Sequence, residues 1–497
     1  MRKVISMVLC LMLVLSLATT AFAAETIVNN TNHAYHAYQI FKGTQSEGVP
    51  SLGNVQWGSG IKGEDFLAAL KLANDNYDTF STAQGVAEYL AMDSQATPRQ
   101  EDAKQFASLA VNYLTDKYTE IAADAKDVTL EPGYYLLVDV TDVDGATDAK
   151  NSALLQVTNL GDVYISKKYT VPTSDKKILQ DGTNLEVTTD EKSIGDVVAF
   201  KLTGTMPSNL ADYETYRYIF HDHLSEGLTF NGVDTVQVKI DGKDVPDGSY
   251  TFVSEPVHED DHECSFEIVF EDIKGIKDVN VTSSSVVTVV YTATLNEDAK
   301  LYEEANPNTM HLEFSNNPNW TGVGEGGETV PPTGETPDKT VNVYTTGVEI
   351  TKKDGKGNIL TGAAFEITGE AAHVVLTSGD VYVPYAVAEG EEIPVKYWRL
   401  TDGTYTTTAP DGENVDKSVY EEVDGGYPEY MKKDFASLDT KKEKVKAEAF
   451  VDENGILKFE GLGVGTYKIN ETVTPAGYNT IGELTLEIKW EDRKSVV

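Results

Sequence analysis

Apolar and polar residues alternate along much of this chain with the two-residue period of half-buried strands, and in one stretch the period becomes helical. Between Glu25 and about Thr170 the strand-like runs AYHAYQIFKG and PGYYLLVDV flank a segment from Ala83 to Tyr118. In that segment VAEYLAM and FASLAVNYL repeat apolar residues at helical intervals, and Pro98 divides it into two helices. From about Val171 the helical period fades. VVAFKLTG, TVQVKI, SFEIVF, VVTVVYTATL and MHLEFS read as strands separated by Gly, Asp, Asn and Pro turns. A connection rich in Gly, Pro, Thr and acid, NNPNWTGVGEGGETVPPTGETPDKT, ends near Thr340. Strands resume to Trp490, with GAAFEITG, ILKFEGLG, GTYKINETV and LTLEIKW. The pattern predicts a mainly β protein. An N-terminal α/β-decorated sandwich over 24–170 is followed by two Ig-like β-sandwiches in tandem, over 171–343 and 344–491.

The first residues change the picture. Arg2 and Lys3 precede an apolar run from Val4 to Leu17 and the small-x-small sequence Ala21-Phe22-Ala23, the pattern of a secretory signal cut after Ala23. The run is short for a membrane anchor, which needs about 18 apolar residues. The chain has 497 residues, with 80 acidic against 40 basic side chains and a net charge of −40. Loss of the leader takes two basic groups with it, leaving 474 residues and a charge of −42. So acidic a protein is not expected to bind nucleic acid. Cys10 leaves with the leader, so Cys264 is the one thiol exported and no internal disulfide can form. An exported multidomain chain usually gains disulfides. Either the cores suffice here or another covalent tie replaces them.

Strand parity suggests what that tie is. In VPTSDKKIL, Ser174, Lys176 and Ile178 share one face, so a lysine points the same way as Ile178. In MHLEFSNNPN the same rule groups Leu312, Phe314 and Asn316, and between the two strands Asp222 lies in RYIFHDHLSEGLTF. Three buried polar groups are costly if they stay unsatisfied. Desolvation lowers a lysine pKa and raises a carboxyl pKa, so a neutral Lys176 could attack the Asn316 carboxamide while protonated Asp222 polarises it and ammonia leaves. The competing reading is a solvated edge lysine, a turn-forming Asn before Asn317-Pro318 and a surface acid.

Several stretches resemble the backbone pilins of Gram-positive bacteria, isopeptide-forming fimbrial proteins built from Cna-B-like domains. HAYHAYQIFKG and LGNVQWGSG resemble that family's first domain, and DVVAFKLTG, HDHLSEGLTF and LEFSNNPN its second. EITKKDGKGNILTGAAFEITG and GLGVGTYKINETVTPAGY resemble the opening strand and E-box of its last domain. The resemblance implies that Lys176, Asp222 and Asn316 form the bonding triad of the second domain. It implies equally that Lys352 is the strand lysine of the last domain and Glu471 its catalytic acid. It also implies a linkage lysine that a sortase joins to the next subunit. VYISKKYTVP stands at that place without the family's proline, making Lys168 the positional match and Lys167 the alternative.

The family's closing strand with its bonding Asn, Leu-Pro-x-Thr-Gly signal, apolar span and basic tail are not found after Trp490. The final DRKSVV reads as a translated sequencing adapter, and the natural chain is expected to continue beyond about Glu491. Val330-Pro331-Pro332-Thr333-Gly334 resembles a sorting signal but lacks an apolar span behind it, and reads as a loop. VHEDDHEC, from Val257 to Cys264, has the composition of a metal site, but an acid-rich hairpin turn is the expectation. His221 and His223 flank Asp222 with no third ligand evident. No phosphate loop or serine–histidine arrangement emerges, and neither cofactor nor metal is called for. The expected protein is a shaft subunit of a surface pilus, not an enzyme, with other pilin subunits and a sortase as partners. The alternative is a monomeric wall-anchored adhesin that binds host matrix protein through the first domain or the insertion between Gly379 and Lys446. A secreted hydrolase is a third class, supported only by the acidic and histidine clusters.

Overall fold

The computed structural model describes residues 26–45, 52–91, 105–141, 148–150, 152–157, 162–166, 169–181, 183, 185–256, 264–318, 320, 330–369, 374–386, 393–412, 414–439 and 445–489. Residues 1–25 and 490–497 lie outside them. The fold is mainly β, in three groups of sheets that follow one another along the chain.

In the first group, Tyr35–Gln45 lies between Leu52–Trp57 and Gly133–Asp139 in a five-stranded sheet. Thr26–Asn29 runs parallel to Val163–Ile165 in a second, three-stranded sheet. Helices Gly63–Ala73 and Ala83–Ala91 and the helical residues 105–110 cover one face. Phe66, Leu70, Val86 and Phe106 pack there on Ile40 and Phe41. The helices at Ala83–Ala91 and 105–110 agree with the spacing in the sequence. Pro98 falls outside the described residues.

The middle group is a sandwich of two seven-stranded sheets. One contains Ser174–Leu179, Val197–Thr205 and Val286–Leu295 in adjacent positions. The other contains Lys339–Tyr344, Asn306–Ser315, Tyr218–Leu224 and Phe266–Phe270. Alternation along Val197–Thr205 and Val286–Leu295 sends Phe200, Leu202, Val289 and Tyr291 inward. They meet Phe220, Ile268, Leu312 and Phe314 of the facing sheet. Phe266–Phe270 departs from alternation and is buried on both faces. Val330–Gly334 was expected as a loop, but Thr333–Glu335 is a short strand paired with Asn306–Ser315. That strand offers backbone groups that an unpaired loop would have left to solvent.

In the last group, Ala364–Gly369 lies between Val445–Phe450 and Gly465–Val473, with Leu484–Ile488 beyond. Thr346–Thr351 pairs directly with Ile456–Leu462, and Phe365, Ile367, Leu457, Phe459 and Tyr467 form the core of this group.

Candidate functional site

Ser174, Lys176 and Ile178 are all buried, as strand parity requires, and Lys176 is only 1% exposed. Its neighbour across the sheet is Leu202. On the facing sheet Asp222 lies opposite Phe266 on one side and Met310 on the other, and it is fully buried. Lys176 Nζ is 2.5 Å from Asp222 Oδ2. It is also 2.5 Å from Asn308 Oδ1, close to the ~2.2 Å that separates nitrogen and oxygen within one amide.

The amide that meets Lys176 is therefore Asn308, not Asn316. Both share the inward parity of their strand, but the register sets Asp222 against Met310 and Leu224 against Asn308, which puts Asn308 diagonally beside the acid. Asn316 lies just past the strand end and serves the chain there. Its Nδ2 donates to the Thr333 carbonyl at 2.8 Å, its backbone N–H donates to Pro332, and its carbonyl accepts from Lys150 N.

Tyr291, which the sequence reading did not single out, completes the cluster. Asn308 Nδ2 donates to its hydroxyl at 2.6 Å, and the hydroxyl donates to Asp222 Oδ1 at 2.7 Å. Its signal was parity with Val287, Val289 and Ala293, all fully buried. Burial lowers the Lys176 amine to about 8, against the pull of Asp222. Burial likewise raises the Asp222 carboxyl, against the pull of Lys176, and lifts the Tyr291 phenol. Low dielectric disfavours both charges at once and moves the pair toward neutral amine and neutral acid.

A second lysine–acid pair occurs in the last group of strands. Lys352 follows Thr346–Thr351, its backbone N–H donating to the Gly455 carbonyl, and Glu471 lies on Gly465–Val473 opposite Phe365. Lys352 Nζ is 2.7 Å from Glu471 Oε1 and 5.7 Å from the centre of the Phe365 ring. Glu471 Oε2 accepts from the Ile481 N–H at 2.8 Å.

Lys167 and Lys168 lie outside the described residues. Tyr169, directly after them, is buried and its hydroxyl donates to Asp148 Oδ1 at 2.5 Å. His33 joins the same cluster, 2.7 Å from Asp148 Oδ2 through Nε2 and 2.5 Å from Asp139 through Nδ1. The sequence reading missed this cluster, whose members come from distant segments. Of VHEDDHEC, only Cys264 is among the described residues.

A family model described as the SpaA prealbumin-like fold domain matches residues 430–497. The trypsin-resistant surface T6 protein of Streptococcus pyogenes serotype M6 is 27% identical over 157 residues, a match covering 30% of this chain and 27% of that protein. The chain thus matches about a quarter of the length of that relative. The T6 backbone pilin of serotype M6 Streptococcus pyogenes, described as a modular three-domain structure decorated with variable loops and extensions, superposes with a TM-score of 0.51. That superposition covers 96% of this chain and 82% of the T6 pilin at 17% identity. The chain has the fold of a Gram-positive backbone pilin. The major pilin SpaD from Corynebacterium diphtheriae is also similar, with a TM-score of 0.44, 14% identity and coverage of 93% and 90%. Within this pilin fold, the Lys176 cluster spans the two sheets of the middle sandwich and the Lys352–Glu471 pair lies in the last group of strands.

Proposed function

We propose that this protein is the shaft subunit of a sortase-assembled pilus on a Gram-positive cell surface, tied internally by self-formed isopeptide bonds. The observation that carries the reading is the dry cluster of Lys176, Asp222, Asn308 and Tyr291 inside a backbone-pilin fold. The three domains proposed from the sequence, 24–170, 171–343 and 344–491, would each be one link of the shaft.

The neutral amine of Lys176 attacks Asn308 Cγ. Protonated Asp222 polarises the carboxamide and gives its proton to the oxygen as the new C–N bond forms, takes up the proton released by Nζ through Oδ2, and recovers the first proton when the carbonyl re-forms. The Asp222–Tyr291–Asn308 Nδ2 chain of hydrogen bonds returns a proton to the departing nitrogen. One C–N bond forms, one breaks and ammonia leaves, so no external reagent is required. Fully buried Phe200, Leu202 and Phe266 keep the site dry.

In the last domain Lys352 would be the nucleophile and Glu471 the acid. Lys168, or Lys167 beside it, would be the lysine joined to the next subunit. Tyr169 and its buried partners would anchor the chain next to that lysine.

The bond is tested by the intact mass of the recombinant mature chain. We expect a deficit of one ammonia assigned by peptide mapping to Lys176–Asn308, lost in Lys176→Ala and in Asp222→Ala. A full unreacted mass in the wild-type middle domain would end the chemical reading. Polymerisation is tested separately, by loss of the high-mass ladder on the cell wall when Lys168 and Lys167 are both replaced by alanine.

A further inference from the structure

We propose that the outer face of the middle sandwich carries a site for a borderline-soft divalent cation, Zn²⁺ by class, made by His221, Cys264 and Glu267. His221 Nδ1 lies 3.1 Å from Glu267 Oε1 and 3.5 Å from Cys264 Sγ. All three ligand atoms fall within 4.8 Å of one another. Tetrahedral zinc, with bonds of about 2.0–2.3 Å to N, O and S, separates its ligand atoms by roughly 3.3–3.7 Å. The His221 contacts already approach that spacing, and a small inward shift of the third edge completes it.

The other ring nitrogen carries the second argument. His221 Nε2 is 3.1 Å from Glu313 Oε2, so the proton on Nε2 has a carboxylate acceptor, while Nδ1 faces Cys264 and Glu267, where an entering cation would displace its proton. A carboxylate behind a ligating histidine is the arrangement that fixes tautomer and ring orientation at zinc sites. The ring is also fixed by stacking on His311, its cross-strand neighbour, with centroids 4.5 Å apart and planes 15° from parallel.

The ligands stand on rigid elements. His221 and Glu267 are directly paired across adjacent strands, and Cys264 enters the second of them. His221 and Glu267 are buried, whereas Cys264 is partly exposed and gives an ion its entry. Thiolate and imidazole together select zinc over the hard cations that prefer oxygen alone. Three protein ligands leave one position for water. The ion would clip together two strands at the residue next to Asp222, on the face of the sheet opposite the Lys176 cluster.

The test uses the mature chain, stripped with chelator and titrated with Co²⁺, whose thiolate complexes show a charge-transfer absorption that oxygen-only sites lack. We expect one equivalent to produce that absorption, Zn²⁺ to displace it, and Cys264→Ser to abolish it. His221→Gln and Glu267→Gln should each weaken binding at least tenfold. Glu313→Ala should weaken it by about 10–100-fold while keeping the thiolate absorption. Cys264→Ser changes one partly exposed atom, so its result does not depend on a buried variant folding, and near-ultraviolet circular dichroism checks the others. Absence of the absorption from the wild-type chain, or affinity unchanged in folded His221→Gln and Glu267→Gln, overturns the site. The same contacts then amount to an imidazolium held between two carboxylates.

Discussion

Lys176 Nζ meets Asn308 Oδ1 at 2.5 Å from the opposite sheet of the sandwich, joining positions 132 residues apart in sequence. Asn316 lies eight residues farther along the chain, roughly 27 Å away at the rise of a strand, too far to share the Asp222 site. Asn308→Ala should therefore abolish the ammonia deficit of the middle domain, and Asn316→Ala should preserve it. Closing a loop of this length is worth roughly 5 kcal/mol in the chain-entropy model. The melting temperature of the Asn308→Ala middle domain should fall by about 10–20 °C, read by calorimetry. An unchanged mass deficit in Asn308→Ala would remove that residue from the bond.

Hydrogen bonds through the Tyr291 hydroxyl link Asn308 Nδ2 to Asp222, and in the proposed reaction this path delivers the proton to the departing nitrogen. Tyr291→Phe keeps the ring against Phe200 and Phe266 but deletes the hydroxyl. Bond formation should slow by about 10²-fold, the low end for a positioned proton-transfer group, while the chain still folds. Time-resolved intact mass during refolding measures the rate. Wild-type speed in this variant would leave the tyrosine as packing alone.

How much of this was legible in the sequence depends on whether a feature is local. Lys176 could be found because Ser174 and Ile178 bracket it at strand period, and all three proved buried. Asn308 and Asn316 share the same parity, so periodicity cannot choose between them. The choice rests on the pairing of Asp222 with Met310, a long-range register that no short window carries. Helix Gly63–Ala73 was readable from the spacing of Phe66, Leu67 and Leu70 but was not singled out. Phe266–Phe270 defied alternation because its outward Glu267 and Val269 are themselves buried, Glu267 beside His221 in a contact between strands over 40 residues apart. Lys352 was found through the resemblance of EITKKDGKGNILTGAAFEITG to an opening strand and Glu471 through that of YKINETVTPAGY to an E-box, and the structure brings the two side chains together.

Acidity should limit the bond-forming rate from both sides. The reactive state, neutral amine with protonated acid, has the same net charge as the ion pair, so their balance does not change with pH. Adding a proton gives ammonium beside acid and removes the nucleophile. Taking one away gives amine beside carboxylate and removes the proton donor. Burial lowers Lys176 from 10.5 to about 8 and raises Asp222 from 3.8, so the amine loses its proton below its ordinary range and the acid keeps its proton above its own. The rate should trace a bell whose alkaline limb falls near pH 8. Refolding unreacted chain from solubilised inclusion bodies over a pH series of about 4 to 10 measures it. A rate still climbing at the upper end would mean that no acid takes part.

In the proposed shaft role, tension would enter the middle sandwich ahead of Ser174–Leu179, its first strand, and leave through Lys339–Tyr344. A bond at Lys176 and Asn308 would carry that load across the sandwich and bypass everything between them. Asn308, however, is not on the last strand. The rest of Asn306–Ser315 and the antiparallel Lys339–Tyr344 remain in the load path after the bond. Pulled at its ends, the wild-type domain should release only the chain beyond Asn308, about 36 residues or roughly 130 Å at full extension. In Asn308→Ala the bypassed 132 residues join it, adding about 460 Å. Single-molecule force spectroscopy on a polyprotein of the mature chain separates the two lengths. A wild-type domain that yields the longer extension would show that the amine and the carboxamide meet without bonding. One that yields no extension would place the covalent tie nearer the end of the domain than Asn308.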